Sequence, residues 1–468
     1  MIQFSTKSHS KVVFFRFDSK KNRVMGFFDR LFSSSGSKEE QPDIRFGRYS
    51  DSYKTSATHS AWNTSLEKFD EQEYLESYRN FFLYLRDDKE DNVRFWEENG
   101  GLAFELFQGS KKITGFANAK KLKAEAKIAK AESLNVGFMR RLIEQNFELM
   151  YSRFALDAAG NLTIVFDTYT LDGSPYKLYY ALREVAIKAD KQDDLLLDEF
   201  QMLQPVDTSH LKPLPQSEKE AKYNFIQKEI KRVLDEIENG NLDKNKYPKG
   251  INTLILHLIY KLDYLIKPEG YMMEALERIH RLNLTSDGKS TILKNQLLIK
   301  ELQKLVERPR DEFFKEMYSV TSTFGITSPV NHDRVVGVID GELHNMDWYH
   351  EHNHHAVAMA VPGYIVGFCL FNYAIPKPDR ELLHLYFQVI EAGYFKSLGF
   401  TCDYYDAEAG KFNKRAIKKA IEHIIDENKP KYPKLHPATA SIDYTSPATF
   451  AKSFLVMVRN LDMMTPSY

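Results

Sequence analysis

Histidine is the commonest metal ligand and a proton carrier near neutral pH, and five histidines crowd one stretch of this chain. It runs "HNMDWYHEHNHHAVAMAVPGY" from position 344 and sets His344, His350, His352, His354 and His355 beside Asp347 and Glu351. On a continuous helix, His350 and His354 stand one turn apart and would grip one ion from the same face, as paired histidines do in zinc sites. Positions 350 to 354 also spell HExxH, with Glu351 where a zinc protease carries its general base. The chemistry implied is metal-assisted hydrolysis. It needs a helix among apolar neighbours, a third ligand and a cleft, whereas this stretch is polar and no spacing fixes the third ligand. His332, His344 and His352 are the further imidazoles on offer. The competing readings are a structural or regulatory zinc, and a solvated lead-in to the apolar run that follows, with Asp347 capping its start.

Other chemical signals are weaker. Cys369 and Cys402 form no CxxC, so neither a zinc ribbon nor a redox pair is indicated, and two buried thiols in a reducing cytoplasm are expected. "KADKQDDLLLDEF" gathers Asp190, Asp193, Asp194, Asp198 and Glu199 without a companion base, and a solvated helix face is expected. "FQGSKKITG" has glycines and lysines but lacks phosphate-loop spacing and leads into a strand. No nucleophile elbow, kinase set or dinucleotide fingerprint is present.

The elements that must position these residues follow from pattern. At 468 residues, two or three domains are expected, and a net charge of -1 argues against a dedicated nucleic-acid binder. Residues 1–24 are basic, and Met25 reads as the natural start. From there "MGFFDRLF", Met25–Phe32, is a short amphipathic segment able to touch a membrane surface or a partner, and "SSSGSKEEQPD" is a linker. Tyr74, Tyr78, Phe81, Phe82 and Leu85 fall at helical spacing. "LAFELF" and "ITGFAN" are strands. "KLKAEAKIAKA" alternates strictly and is expected as a strand with Leu122, Ala124, Ala126 and Ile128 on its dry face. "NVGFMRRLIEQNFEL" is a helix, "YSRFALDAAGNLTIVFDTY" a hairpin, and a long helix opens at Ser174 as N-cap with Pro175 at N1. Helices packed on one antiparallel sheet, an α+β domain, are predicted.

The phrases "GLAFELFQGSKKITGF", "AKAESLNVGFMRRLIEQNFEL", "YSRFALDAAGNLTIVFD" and "SPYKLYYALREVAIKADKQDDLLLDEF" resemble YbjN-type proteins, which share the fold of type III secretion chaperones. The likeness is to long Bacteroidetes members and covers about 46–205. It implies a small α+β domain that commonly dimerises and holds other proteins through apolar grooves. It supplies no catalytic residues.

The segmentation that results is a basic extension, amphipathic segment and linker over 1–45; an α+β domain over 46–205; a linker over 206–217; a helical bundle over 218–320; and a mostly helical region over 321–468. The last contains the uncharged run Ala356–Ile375, near the length of a membrane span but interrupted by Pro362 and Gly363. A buried helix, or one broken at the proline, is the alternative. The function expected is non-enzymatic protein binding by a cytoplasmic adaptor, a homodimer being one form. A metal-dependent hydrolase using His350, Glu351 and His354, and a peripheral membrane scaffold, are the rivals.

Overall fold

In the computed structural model the described residues are 41–465, without 88–89, 132–135, 201 and 402. Expectations for the basic extension, for Met25–Phe32 and for Cys402 lie outside them. Two helices lead, α1 (Ser56–Asp70) and α2 (Tyr74–Leu85), then strands β1 (Val93–Glu98), β2 (Gly101–Gln108), β3 (Lys111–Ala117) and β4 (Lys121–Ala131). Helix α3 (Val136–Asn146), hairpin β5 (Arg153–Leu156) and β6 (Asn161–Tyr169), helix α4 (Pro175–Glu199) and β7 (Leu203–Pro205) complete this part. The strands make one open antiparallel sheet ordered β1-β2-β3-β4-β6-β5, with β7 also paired to β4. This is the α+β architecture expected.

Strand β4 shows why period outweighs propensity. Leu122, Ala124, Ala126 and Ile128 are fully buried, while Lys121, Lys123 and Lys130 face water. The alternation fails at a bulge between Lys127 and Ala129, which buries Ala129 as well. Onto the dry face pack Tyr78, Phe81, Phe82 and Leu85 of α2 and Leu178, Leu182 and Val185 of α4. Each large apolar side chain so buried contributes about 1.5–3 kcal/mol. Helix α4 starts as its sequence requires, with Ser174 accepting from the Lys177 N–H and Pro175 in the first turn. Helix α1 and strands β1 and β7 were not expected. Of α1, Ser65 is the buried residue, so no apolar stripe announces the helix. It is fastened instead by Ser65 and Ser77, which trade hydroxyl-to-carbonyl bonds of 2.8 and 2.7 Å.

The remainder is mostly helical, as expected. It comprises α5 (Gln216–Asn239), α6 (Pro248–Ile266), α7 (Gly270–Leu284), α8 (Thr291–Glu307), α9 (Arg310–Lys315), α10 (His332–Glu342), α11 (Asn345–Glu351), α12 (His355–Asn372), α13 (Lys377–Ile390), α14 (Ala392–Ser397), α15 (Lys414–Asn428) and α16 (Pro447–Arg459). The apolar run is one unbroken helix, α12, that carries Pro362 inside it. Among the described residues it alone is long and apolar enough to cross a membrane, and it lies largely buried within the protein against α6.

Sheet and helices are stitched together, and Ile44–Tyr468 is a single compact unit. Arg48 forks onto Asp263 of α6 at 2.7 and 2.9 Å, reaches Glu277 of α7 at 3.2 Å and stacks on Phe371 of α12. Lys191 of α4 meets Glu274 and Glu277 from the other side, at 3.2 Å each. After α9 the chain returns to the sheet. Phe324 enters the sheet's core, and its N–H and that of Thr323 both donate to the Gln108 side chain.

Candidate functional site

Helix α11 ends at Glu351, Asn353 adopts a left-handed φ of 61°, and α12 begins at His355. His350 and His354 therefore do not share a helical face, and the HExxH string is split across two helices. His354 turns its Nδ1 to the Asn241 side-chain oxygen at 3.1 Å. His352 stacks on Trp348 with ring centres 4.1 Å apart and donates from Nδ1 to the Trp348 carbonyl at 2.7 Å. The ring beside His350 is His355, 5.3 Å away. His344 precedes α11 without a side-chain capping bond. Asp347, rather than capping, pairs with Lys452 of α16 at 2.5 Å. Among the described residues no three His, Cys, Asp or Glu side chains converge in a way that could hold a metal ion.

His332 lies elsewhere, in contact with Asp379 at 2.9 Å where α10 and α13 begin. Burial pulls this imidazole down, but the Asp379 carboxylate outweighs it and holds the group above its ordinary value. Cys369 is buried, and burial pushes its thiol upward, which makes it a poor nucleophile. Asp190 departs from the expected solvated face. It is buried and accepts from the Ser110 N–H at 2.7 Å, so the acidic helix and the "FQGSKK" turn dock on one another.

Among the described residues, an exposed apolar surface lies on α3 and the turns after it. Phe138 and Leu142 point inward. The outer side carries Val136 and Ile143 on the helix and Phe147 and Met150 after it, which are 86%, 58%, 91% and 83% exposed, with Met139 half-buried on the helix. The spacing reads 136, 139, 143, 147, 150, which is the same in both directions about Ile143. Charges follow a matching rule: Arg140 and Arg141 lie on the N-terminal side, Glu144 and Glu148 on the C-terminal side.

This surface is held firmly. Glu184 of α4 accepts from the N–H groups of Met150, Tyr151 and Ser152 at 2.8, 2.9 and 2.8 Å, and from the Ser152 hydroxyl at 2.7 Å. Burial alone would raise this carboxyl, but the donors outweigh it and keep it below its usual range. Asn146 accepts from the Phe154 N–H at 2.8 Å and ties the end of α3 to β5. Sequence reasoning found this helix but not its exposed stripe. The available signal was apolar residues on both faces of a short helix, more than one sheet contact can cover. No protein-family model matches the chain, and no curated protein matches it.

Proposed function

We propose that the protein is a non-enzymatic protein-binding adaptor whose α+β part self-associates through α3. The observation that carries this reading is the exposed stripe centred on Ile143. A twofold interface brings the same patch of both copies together. With two α3 helices antiparallel about a twofold axis at Ile143, Ile143 meets its own copy, and Val136 and Met139 of one copy lie toward the turn that carries Phe147 and Met150 of the other. Arg140 is paired with Glu144 at 2.9 Å and Glu148 with Lys188 at 3.4 Å within each copy, so the apolar pattern alone selects the arrangement. The resemblance of residues 46–205 to YbjN-type and secretion-chaperone domains supports the same reading, since that family commonly dimerises and holds client segments. A cytoplasmic setting is part of the proposal, and the buried Cys369 thiol suits a reducing compartment.

The test is sedimentation and light scattering of the full chain at micromolar concentration. A dimer is expected, converted to monomer by Ile143→Glu or Phe147→Glu with unchanged circular dichroism, because both side chains are already exposed. A wild-type monomer across the range, or a dimer indifferent to both substitutions, overturns the proposal.

A further inference from the structure

The opposite end of the sheet carries a second surface, independent of α3. Strands β1 and β2 are joined by Asn99 and Gly100, both with positive φ (49° and 72°), a tight two-residue turn that fixes their register. In that register Trp96 lies opposite Ala103, and Ala103 opposite Phe116 of β3. One cross-strand row on the outer face is thus aromatic, small, aromatic. Neighbouring strands are about 4.8 Å apart, so the two aromatic residues stand about 10 Å apart at the backbone. The Phe116 ring leans back toward β1: it lies over Gly101, where a Cβ would come within 2.5 Å of its Cζ. The two aromatic residues line an open slot of about 530 Å³, together with Ala103, Thr114, Glu98 and Glu105. Trp96, 44% exposed, forms one wall and bonds Glu98 through its indole N–H at 3.1 Å.

The electrostatics give the slot a sign. Glu105 is shared by Arg94 and Lys112, each at 3.7 Å. Glu98 has no ion-pair partner among the described residues, so the carboxylate beside the aromatic walls is the one left unbalanced. Aromatic faces attract cations, and a planar guanidinium or an alkylated ammonium can lie between two rings where an anion would be repelled.

We propose that this slot binds an organic cation, a guanidinium or quaternary ammonium head group, held between Trp96 and Phe116 and neutralised by Glu98. The head group has two sources, a free small molecule or an arginine side chain of another protein. Calorimetric titration of the full chain with choline, Nα-acetylarginine amide and the peptide acetyl-Gly-Arg-Gly-Arg-Gly-amide tests this, with Nα-acetylnorleucine amide as the neutral control. Saturable binding of the cations and not of the control is expected. Trp96→Ala should weaken it about tenfold and Glu98→Gln several-fold, with an unchanged dichroism spectrum. A peptide binding tenfold or more tighter than the amide assigns the site to a partner's arginine; equal or weaker binding assigns it to a free cation. Absence of saturable binding by every cation, an equal response to the neutral control, or affinity unchanged in Trp96→Ala overturns the proposal.

Discussion

His384 shows how one buried group sets a pH response. Its Nδ1 lies 2.9 Å from the Tyr264 hydroxyl, and the rings of Phe46 and Phe395 enclose it at 5.2 and 5.6 Å. Burial, helped by the nearby Arg380 charge, pulls it down from 6.5 to about 3. The folded value lies below the unfolded one, so the unfolded chain binds the extra proton as pH falls. The contribution of His384 is therefore complete above pH 6.5 and is lost progressively toward pH 3, at about 1.4 kcal/mol per unit. Burial draws His257 down to about 3 as well, so the part of the slope that belongs to His384 is the difference between the native chain and His384→Gln from about pH 6.5 to 5. Urea midpoints should fall across that window in the native chain and fall less steeply in His384→Gln; an unchanged slope refutes the assignment. No sequence signal distinguished His384 from the five clustered histidines, because burial is a tertiary property. The cluster was conspicuous as a string, yet its geometry turned on Asn353, a residue type that tolerates the left-handed backbone that splits the motif.

Elements were legible where one face alone had to be buried. Strand β4 and helices α2 and α4 carried clean periods and formed as expected, and the N-cap of α4 was readable to the residue. Strand β1 was missed although its turn, Asn99-Gly100, is a strong hairpin signal, because its charged and exposed side chains hide the alternation. The α6–α12 crossing was misleading in a different way. Pro362 and Gly363 suggested a break, but the glycines serve close approach. A Cβ on Gly367 would lie 2.7 Å from the Tyr260 Cβ, and one on Gly363 would lie 2.1 Å from the His257 ring. Two effects oppose each other on replacing Gly367. Helix propensity favours alanine by about 1 kcal/mol, whereas overpacking a close contact costs about 1–3 kcal/mol. The short contact is to a Cβ on the neighbouring helix rather than a flexible tip, so the steric term should win. Gly367→Val should lower unfolding free energy by about 2 kcal/mol in equilibrium denaturation, and Gly367→Ala should bring no gain. A stabilised alanine variant would mean that the helices are not in contact there.

At the scale of the whole molecule, the segment Thr321–Gly325 decides whether sheet and helices unfold together. The Thr323 hydroxyl donates to a backbone carbonyl of the sheet region, that of Phe107, at 2.8 Å, and Gly109 donates its N–H to the Thr321 carbonyl at 3.1 Å. Arg183 of α4 donates to the Gly325 carbonyl at 3.0 Å. Phe324, fully buried, fills the core beside Tyr179. Linear segmentation could not foresee this, because the segment lies more than a hundred residues beyond the last strand of the sheet and has no strand pattern of its own. Together with the Arg48–Asp263 fork and the pairing of Lys191 with Glu274 and Glu277, it ties the sheet part to the helices. Removing a buried phenylalanine costs about 3–5 kcal/mol. If the two parts are one cooperative unit, Phe324→Ala lowers the stability of both by the same amount. Near-ultraviolet and far-ultraviolet signals should then still trace a single shared transition at lower denaturant. If the parts are only tethered, the variant should instead split the curve, with the sheet melting first and the α6–α12 helices at the native midpoint. A split curve would place the boundary of stability between sheet and bundle. The single transition is the outcome expected, since the core of one part is completed by residues that belong, in chain order, to the other.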